Sequence, residues 1–411
     1  MSTVKIITQV YPPEVHPTAL MVRELSGHLA RHEWDVTVCA GLPHHPEGVL
    51  HSGWRWRTWQ KTRDDEVTVV RTGHLISKSR AISTRAAVFV SQAIGAAVAG
   101  LATAKCDMVI VYGPPLVGSN LGALVAARHQ AKLVNVIYDL YPDVAIETGK
   151  VKNPFIIAAA RVAERIQYWS SDMTIVLSEG FKKTLVSRGV PAEKIAVIPV
   201  WLDPEEIRPL DRNTAWRKEQ GIPLDQFVVL YAGTIGVVSG ASMVADAARI
   251  LSARKGVLFV FVGEGEEKPK VEARARELGL SNVKFLPFQP RARLPEVQAT
   301  ADVGLVTLSP GRGRTSVPSK VLGYMAAGRP VIASVDLDSD TADDIRKAQA
   351  GLVVAPGDPT ALADAILKAH DDPAWRASSG ENARKHFVQE YSRDQVLERY
   401  RKVLEEAVAG K

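Results

Sequence analysis

The sequence predicts an α/β protein made of two doubly wound, parallel-sheet domains. Short runs of β-branched and apolar residues alternate with longer helical patterns along almost the whole chain, which is typical of βαβ units. This alternation is interrupted once, by the proline-rich, acidic stretch PVWLDPEEIRPLDRNT at 199–214. At 411 residues the chain also exceeds the size of one ordinary hydrophobic core.

We therefore place an N-terminal domain at 1–200, a linker at 201–212 and a C-terminal domain at 213–385. From Pro373 onward the pattern is wholly helical, and 386–411 is taken as a separate terminal helix. Loops that follow parallel strands gather at the carboxyl edge of a sheet, where open α/β folds bind ligands. Two such edges facing one another would form a central cleft, which suits a two-substrate reaction that excludes water.

Runs of strand-forming residues bounded by turn residues define the individual elements. In the first half, strands are predicted at Val4–Val10, Asp35–Ala40, Val67–Arg71, Asp107–Tyr112, Lys132–Tyr138, Asp172–Leu177 and Ile195–Pro199. Helices are predicted near Leu20–Arg31, Arg80–Lys105, Gly118–Gln130, Phe155–Ser170 and Gly180–Arg188. In the second half, the strands are Phe227–Ala232, Leu258–Val262, Val283–Leu286, Val303–Leu308, Val331–Val335 and Leu352–Val354. The helices between them lie near Ser239–Lys255, Glu267–Leu278, Leu294–Ala299, Ser319–Ala327, Thr341–Ala348 and Thr360–His370.

The composition is that of a soluble globular protein, with 46% hydrophobic and 23% charged residues and a net charge of +6. The only two cysteines, Cys39 and Cys106, indicate buried thiols in a reducing compartment and exclude a disulfide framework. Because the N-terminal residues MSTVKIITQV run straight into a strand, we expect no signal peptide and a cytoplasmic protein.

Two stretches raise the question of a membrane. The segment Trp54–Arg63, WRWRTWQKTR, interleaves tryptophan with cations, which is typical of a chain lying at a membrane interface. Single-stranded nucleic acid can use the same groups. The alternative is a loop whose tryptophans pack on the domain. Residues 86–104 carry no charge and are long enough to span a bilayer, but their position between two strands favours a buried crossover helix.

The stretch 303–333 is the most informative part of the chain. A predicted strand, Val303–Leu308, runs into a Gly/Arg/Ser/Pro loop and then into a short helix. Ser316 and Ser319 can cap that helix, and its free N–H groups, with Lys320, Arg312 and Arg314, suit an anion such as a diphosphate. The alternative is an ordinary βαβ turn with solvated arginines.

Three further loops of the second domain follow strands and should lie at the same sheet edge. They are Gly233-Thr234-Ile235-Gly236, Gly263-Glu264-Gly265 and the loop that contains Phe288. Small residues let the backbone approach a ligand closely. The first loop has neither a Walker lysine nor GxGxxG spacing, so the common nucleotide fingerprints do not apply.

In the first domain, polar residues follow the first and fifth predicted strands. Glu14 and His16 leave the first strand, and Asp139 and Asp143 leave the fifth. They are candidates for acid, base or hydroxyl-binding roles at the cleft. A helix cap or a solvated carboxylate is the alternative, especially for Asp143. Asp139, which ends the apolar strand LVNVIY, is the stronger catalytic candidate.

His44 and His45 stand next to each other in the loop GLPHHPEG. Adjacent histidines in a Pro/Gly loop without a partner motif do not match the ligand spacing of a metal site. We therefore predict no metal site and no cofactor, and place both histidines among the residues that line the predicted cleft.

Nine segments, in this order, match a known family. They are YPPE at 11–14, GLPHHPEGV at 41–49, DLYPD at 139–143, LSEGF at 177–181, YAGTIG at 231–236, VGEGEEK at 262–268, FLPF at 285–288, VPSKVLGYMAAGRPVIA at 317–333 and GLVVAPGD at 351–358. The set resembles the retaining family 4 glycosyltransferases of the two-Rossmann-domain (GT-B) fold. Within them it is most similar to bacterial O-antigen and capsule enzymes of the N-acetyl-L-fucosamine transferase type.

The resemblance implies that the second domain holds a nucleotide-diphosphate sugar, with UDP favoured over GDP. The implied donor-binding residues are Gly233, Thr234, Ile235, Gly236, Gly263, Glu264, Phe288, Arg314, Ser316, Pro318, Ser319 and Lys320. Asp139 would stabilise an oxocarbenium-like transition state, and the C-terminal helix would return to the first domain. The implied acceptor is a lipid-linked, undecaprenyl-type saccharide of O-antigen, capsule or exopolysaccharide synthesis.

The sequence departs from the family at one place. Many members carry two glutamates eight positions apart that hold hydroxyl groups of the donor, and here Thr315 and Gly323 stand at those positions. Hydroxyl recognition is therefore unassigned.

Three functions are consistent with these residues. The first is a metal-independent glycosyltransferase on the inner face of the membrane, resting there through Trp54–Arg63 and binding no nucleic acid. The second is a nucleotide-sugar epimerase on the same fold. The third is a non-catalytic nucleotide-sugar-binding scaffold, which the missing glutamates would permit.

Overall fold

The computed structural model describes residues 1–79, 81–112, 116–149, 151–313 and 318–410. The chain forms two compact units. The first contains Met1–Ile198 together with Leu397–Lys411, and the second contains Pro199–Val396. Each unit is an α/β layer structure around its own sheet, so the predicted fold class is confirmed.

The first unit contains eight strands and, before the terminal helix, six α-helices among its described residues. In chain order they are β1 (Ser2–Thr8), α1 (Pro17–Arg31), β2 (Trp34–Gly41), β3 (Trp59–Asp64), β4 (Val67–Thr72), α2 (Ile82–Ala102), β5 (Met108–Tyr112), α3 (Val117–His129), β6 (Lys132–Ile137), α4 (Asp143–Glu147), α5 (Pro154–Ser170), β7 (Met173–Val176), α6 (Glu179–Ser187) and β8 (Ile195–Val197).

The strand order in this sheet is β3-β4-β2-β1-β5-β6-β7-β8. From β1 the chain moves outward to β2 and β4, and then returns to β5 and continues to β8 on the other side. Because crossovers between parallel strands are right-handed, α1 lies on one face of the sheet and α2, α3 and α5 lie on the other. The contacts of α3 with both α2 and α5 agree with this layer.

One strand of the first unit was not predicted. Strand β3 pairs antiparallel with β4 at the sheet edge, so this sheet is mixed rather than wholly parallel. Its sequence, WQKTRD, alternates exposed and half-buried positions and contains no β-branched apolar residue. A polar edge strand has no hydrophobic pattern to reveal it.

The second unit contains six strands and eight α-helices among its described residues, followed by a helix shared with the first unit. They are α7 (Ala215–Glu219), β9 (Phe227–Ala232), α8 (Ser242–Ile250), β10 (Val257–Val262), α9 (Lys268–Glu277), β11 (Val283–Leu286), α10 (Leu294–Ala299), β12 (Val303–Thr307), α11 (Lys320–Ala326), β13 (Val331–Ser334), α12 (Asp340–Ala348), β14 (Gly351–Val354), α13 (Pro359–Asp371), α14 (Pro373–Glu390) and α15 (Arg393–Ala409).

The second sheet is wholly parallel, with strand order β11-β10-β9-β12-β13-β14. The chain moves from β9 outward to β11, and then crosses back to β12 and continues to β14. Its direction therefore reverses between β9 and β12, which creates a crevice at their carboxyl ends. The loops after these two strands are those in which the sequence predicts an anion site.

Alternate side chains of β9 face opposite sides of this sheet. Val228 and Leu230 belong to one core cluster, and Val229 and Tyr231 belong to the other. On the side of α11, the Tyr324 ring lies against Gly304, where an added Cβ would come within 2.2 Å of the ring. The Tyr324 hydroxyl donates to the Leu230 carbonyl and accepts from the Ala232 N–H, both at 2.8 Å. Helix α11 is thereby fixed to the strand that leads into the crevice.

The terminal helix α15 contributes to the first unit from Leu397 onward. Burial raises the pKa values of Tyr112 and Tyr138, and the fully buried Tyr400 of α15, which lies close to both, raises them further. The Tyr112 and Tyr138 hydroxyls are in direct contact. Tyr138 immediately precedes Asp139, so this tyrosine cluster supports the end of β6.

Candidate active site

Two glycine loops line one side of the crevice in the second unit. The hydrogen bonding between β9 and β10 continues into the loops that follow them. The Gly233 N–H donates to the Val262 carbonyl, and the Ile235 N–H donates to the Glu264 carbonyl, each at 2.9 Å. An added Cβ at Gly263 would lie 2.0 Å from the Gly233 carbonyl oxygen, and one at Gly265 would lie 2.3 Å from that of Ile235. Only glycine permits the two loops to approach this closely.

This pairing directs alternate amides of the loop in opposite directions. The N–H groups of Gly233 and Ile235 are used against the neighbouring loop, whereas those of Thr234 and Gly236 have no partner among the residues that the structure describes. The Ile235 side chain is fully buried in the core. We therefore correct its predicted role: Ile235 anchors the loop, and Thr234 and Gly236 hold the amides that a ligand can use.

Lys320, the first residue of α11, extends over the other side of the same loop. Its Nζ lies 3.9 Å from the centre of the Tyr231 ring and donates a hydrogen bond of 2.6 Å to the Tyr231 hydroxyl. That hydroxyl in turn donates to the Thr234 carbonyl at 3.1 Å. Desolvation by burial lowers the pKa of Lys320 to about 7. No carboxylate among the described residues pairs with this ammonium, so its charge is available for an anion.

The loop after β12 is held from the neighbouring strand. Asp336 follows β13 and accepts the N–H groups of Gly311 and Gly313 at 2.9 and 2.8 Å. Ser319 is exposed and makes no capping hydrogen bond to α11, so that part of the prediction is wrong. Pro318 accepts the Val321 N–H through its carbonyl. Arg314, Ser316 and Thr315, which the sequence also implicates, lie outside the described residues.

Glu264 and Phe288 complete the predicted donor set of the second unit. Glu264 forms an ion pair of 2.7 Å with Lys268, and half of its side chain is exposed. Phe288, shortly after β11, is 54% exposed. An exposed aromatic ring beside a sheet edge is available to stack against a flat ligand group.

Gly323, the second glutamate position of the resembled family, is buried within α11. The side-chain amide of Gln298 lies beside it, with Nε2 at 2.8 Å from the position of an added Cβ. Gln298 is itself 6% exposed. In this chain a glutamine from α10 therefore occupies the space next to the missing side chain.

In the first unit, Glu14 is structural. One of its carboxylate oxygens accepts the N–H groups of His44 and His45 at 3.1 and 3.2 Å, and the other accepts the Tyr11 N–H at 3.2 Å. Its side chain is completely buried. This corrects the predicted acceptor-binding role, because Glu14 ties the loop after β1 to the loop after β2.

The histidines of these two loops lie together. His16 caps α1 by accepting the Thr18 N–H, and its ring meets the edge of the His45 ring, with 5.1 Å between centroids. The His44 ring packs in the same way against His74 at 4.7 Å. Burial, together with neighbouring histidines, lowers the pKa values of His16 and His44, so both rings are neutral near pH 7.

The two aspartates after β6 have different surroundings. Asp143 begins α4 and is held by the guanidinium groups of Arg161 and Arg188. Burial opposes its charged form, but these hydrogen bonds and charges hold the pKa of Asp143 below its usual value. Asp143 is therefore part of a structural ion-pair network with Glu164, rather than an acceptor-binding residue.

Asp139, by contrast, accepts no hydrogen bond from the residues that the structure describes and is accessible to solvent. Partial desolvation raises the pKa of its carboxyl group. A carboxylate that no structural partner holds is the better candidate for chemistry, so Asp139 stays the predicted catalytic residue and Asp143 does not contribute to the predicted acceptor site.

The Trp54–Arg63 segment packs partly on its own unit. The Arg71 guanidinium lies 5.0 Å from the Trp54 ring, and the Trp56 ring lies against Gly73. Trp59 begins β3 and is 39% exposed. The alternative given above, in which the tryptophans pack on the domain, applies to Trp54. Of the three tryptophans in this segment, Trp56 alone is more than half exposed.

Comparisons with known proteins decide the family. The family described as glycosyl transferases group 1 matches residues 212–386, and the glycosyl transferase 4-like domain matches residues 18–201. The protein is a group 1 glycosyltransferase. Together the two matches cover both units and place the crevice between β9 and β12 within the group 1 region.

Individual relatives of this glycosyltransferase are distant. WcaI of Escherichia coli (strain K12), whose name assigns it provisionally to colanic acid biosynthesis, is 26% identical over 79% of this chain and 81% of its own. HepE of Anabaena, solved with UDP, has a TM-score of 0.71 at 16% identity, covering 99% of this chain and 100% of its own. WaaG, described as a glycosyltransferase of lipopolysaccharide biosynthesis, has a TM-score of 0.67 at 18% identity, covering 97% and 99%. These structures establish the GT-B fold of the glycosyltransferase.

The first prediction tests the structural role of Glu14. In Glu14→Gln, an amide presents one acceptor oxygen to three backbone N–H donors, so we expect the free energy of unfolding to fall by roughly 2–4 kcal/mol. Urea unfolding measures the loss, and Glu47→Gln, at an exposed glutamate of the loop after β2, should leave the midpoint unchanged. An unaltered midpoint in Glu14→Gln, with transfer abolished, would instead mean that Glu14 acts on a substrate.

The second prediction concerns Lys320. Since its pKa is lowered to about 7, the group is largely neutral at pH 8, and a bound diphosphate that restores the charge must draw up to about one proton from the buffer. Titration calorimetry with UDP at pH 8, in buffers of different ionisation enthalpy, measures this uptake. Affinity should fall as pH rises above about 7.

The matched variants for this prediction are Lys320→Met and Lys270→Met, the latter on an exposed lysine of the same unit. Lys320→Met should lose the proton uptake and bind UDP roughly ten- to a hundredfold more weakly. It should unfold at the same or a higher temperature, because a desolvated cation has been removed. Unchanged binding in Lys320→Met would exclude this lysine from the anion site.

Proposed function

We propose that the protein transfers a sugar from a nucleotide-diphosphate donor to a lipid-linked saccharide, with retention of configuration. The proposal rests on the crevice between β9 and β12. There Lys320, which has no carboxylate partner among the described residues, lies on the same loop as the Thr234 and Gly236 amides, which have no partner within that part of the chain. A cation and adjacent backbone N–H groups form a site for a diphosphate.

UDP is the favoured nucleotide. The related structure of HepE has been solved with UDP and with UDP-glucose, and its fold aligns over 99% of this chain. The nucleoside would lie toward the exposed Phe288 ring. The more specific donor suggested by the sequence, UDP-N-acetyl-L-fucosamine or a related sugar, belongs to the same proposal.

In the proposed reaction, the bond between the anomeric carbon and the diphosphate breaks, the acceptor oxygen bonds to the anomeric carbon on the same face, and the acceptor proton passes to an oxygen of the leaving diphosphate. Lys320 and the free amides would stabilise the negative charge that develops on the leaving diphosphate, so no divalent metal is required. Asp139 would stabilise the positive charge of the oxocarbenium-like transition state or orient donor hydroxyls.

The acceptor is proposed from the relatives. WcaI carries a name from colanic acid biosynthesis and WaaG is described as acting in lipopolysaccharide biosynthesis. An acceptor in O-antigen, capsule or exopolysaccharide synthesis on an undecaprenyl-type lipid, at the cytoplasmic face of the membrane, follows from that likeness.

A non-catalytic sugar-nucleotide-binding protein is the second candidate. It is favoured by one observation, the glycine at position 323 where many relatives of the resembled family carry a glutamate. Gln298, whose amide fills the space beside Gly323, offers a neutral replacement for part of that side chain. A purified protein that binds UDP-sugars but turns over none with any lipid-linked acceptor would support this second function.

The third prediction tests catalysis at Asp139. In Asp139→Asn the shape is retained and the negative charge is lost, so we expect kcat to fall by about 10²–10⁴-fold while the affinity for UDP changes little. Release of UDP from the UDP-sugar in the presence of acceptor provides the rate. Asp35→Asn, on an exposed aspartate of β2, is the matched control. Full turnover by Asp139→Asn would remove the catalytic assignment.

A further inference from the structure

Three helices of the first unit form one outer layer. Helices α2, α3 and α5 lie on the same face of the sheet, and α3 contacts both of the others. Their inward residues, such as Ala96 of α2 and Val125 of α3, pack on the strands in one core cluster. Their outward residues form a surface with an unusual composition, which we call the apolar face.

Helix α5 contributes an apolar stripe to this face. Phe155, Val162, Ile166 and Trp169 are spaced by seven, four and three residues, so they lie along one side of the helix. Their exposed fractions are 83%, 54%, 47% and 85%. The stripe runs for about 21 Å, since a helix rises about 1.5 Å per residue. In a water-soluble helix this side would carry polar residues.

Helices α2 and α3 extend the stripe. On α2, Val90, Ile94, Val98 and Leu101 repeat at helical spacing and are 38–50% exposed, and Leu124 of α3 is 60% exposed. The segment Ser83–Ala102 has a mean hydropathy of 1.5, yet only 33% of it is buried. A crossover helix was predicted here, but the expectation that it is buried holds for one of its sides only.

The charges on the three helices are strongly biased. Within the described residues of α2, α3 and α5 the one acidic side chain is Glu164, which is buried and paired with Arg161 and Arg188. The exposed charged residues on these helices are cations, namely Arg85, Arg128 and Arg165. Just outside the helices Lys105 and Lys152 are exposed, and so is Asp172, which pairs with Lys132.

We propose that the apolar face is a membrane-docking surface that lies in the interface of a bilayer containing anionic lipid. The three helices expose apolar side chains and cations and, among their described residues, no acid. This is the composition of interfacial segments, in which aromatic and aliphatic groups enter the head-group region and cations meet lipid phosphates. Soluble monomers rarely expose an apolar patch of this extent.

Two other arrangements fit the structure less well. Spanning of the bilayer by α2 would require its inner side, which packs on the sheet, to leave the core of the first unit. Pairing of two copies through this face would bring arginines together without a compensating acid, whereas anionic lipid neutralises them. The proposed surface rests on the proposed function, because it would bring the protein to a lipid-linked acceptor. Vesicle binding tests the surface separately, since it needs neither acceptor nor donor.

The fourth prediction is tested by co-sedimentation of the full chain with vesicles. Wild-type protein should bind equimolar phosphatidylglycerol and phosphatidylethanolamine, bind phosphatidylcholine alone more weakly, and lose affinity with added salt. The triple variant Phe155→Ser/Ile166→Ser/Trp169→Ser should bind at least about tenfold more weakly. Arg85→Gln and Arg165→Gln should each reduce binding to anionic vesicles about fivefold and leave binding to phosphatidylcholine unchanged.

Matched controls separate this face from other exposed apolar residues. Leu224→Ser/Leu337→Ser alters two half-exposed leucines of the second unit, and Trp56→Ser alters the exposed tryptophan of Trp54–Arg63. Both should bind vesicles as the wild type does. Thermal unfolding with and without UDP verifies that each variant is folded, and UDP binding retained by the triple variant separates a failure of docking from a failure of the donor site.

Three results would overturn the proposal. Wild-type protein that remains in the supernatant with anionic vesicles would exclude the membrane. Loss of binding in Trp56→Ser, with the triple variant unaffected, would transfer docking to Trp54–Arg63. A wild-type dimer in lipid-free buffer that the triple variant converts to a monomer, with no vesicle binding by either, would identify a second copy of the chain as the partner.

Discussion

The right-handed crossover between parallel strands is the constraint on which most of this structure depends. In the second unit it forces the chain to reverse direction between β9 and β12, and the reversal opens the crevice that contains the glycine loops and Lys320. In the first unit the same rule sends α2, α3 and α5 to one face of the sheet. The proposed donor site and the proposed membrane surface are thus both consequences of strand order.

Lys320 is placed to bind an anion, but its burial destabilises the folded protein. The folded protein holds an ammonium group in a partly desolvated place, against the Tyr231 ring and hydroxyl, with no carboxylate partner among the described residues. This arrangement lowers the pKa of the lysine and so weakens the folded state when the lysine is charged. An anion in the crevice would relieve that cost, which links ligand binding to protonation.

Much of the fold could be predicted from the sequence because the second unit has strongly patterned strands. The predicted bounds of Phe227–Ala232 and Val283–Leu286 match β9 and β11, since both are apolar runs ended by turn residues. Strand β3 could not be predicted, because its residues are mostly polar and show no hydrophobic alternation. Its strand conformation depends on pairing with β4. The antiparallel edge is therefore a tertiary effect.

The site was less predictable, because roles depend on contacts between distant residues. In DLYPD the sequence favours Asp139 over Asp143, but only the structure shows that Arg161 and Arg188 hold the Asp143 carboxylate in ion pairs. The contact of Lys320 with Tyr231 joins residues 89 positions apart. The GTIG sequence predicts a loop, but only its pairing with GEG shows which amides remain free. One signal in the sequence was missed. The apolar residues of α5 recur at heptad-like spacing, which the sequence shows, although only the structure shows that they are exposed.

The central claim is that the crevice of the second unit binds a nucleoside diphosphate without a metal. The most direct test is titration calorimetry of the wild-type protein with UDP, GDP, ADP, CDP and dTDP, first in EDTA and then with Mg²⁺. The account predicts that UDP binds selectively in EDTA and that Mg²⁺ does not strengthen the binding. Binding of no nucleotide, or binding only when Mg²⁺ is present, would contradict it.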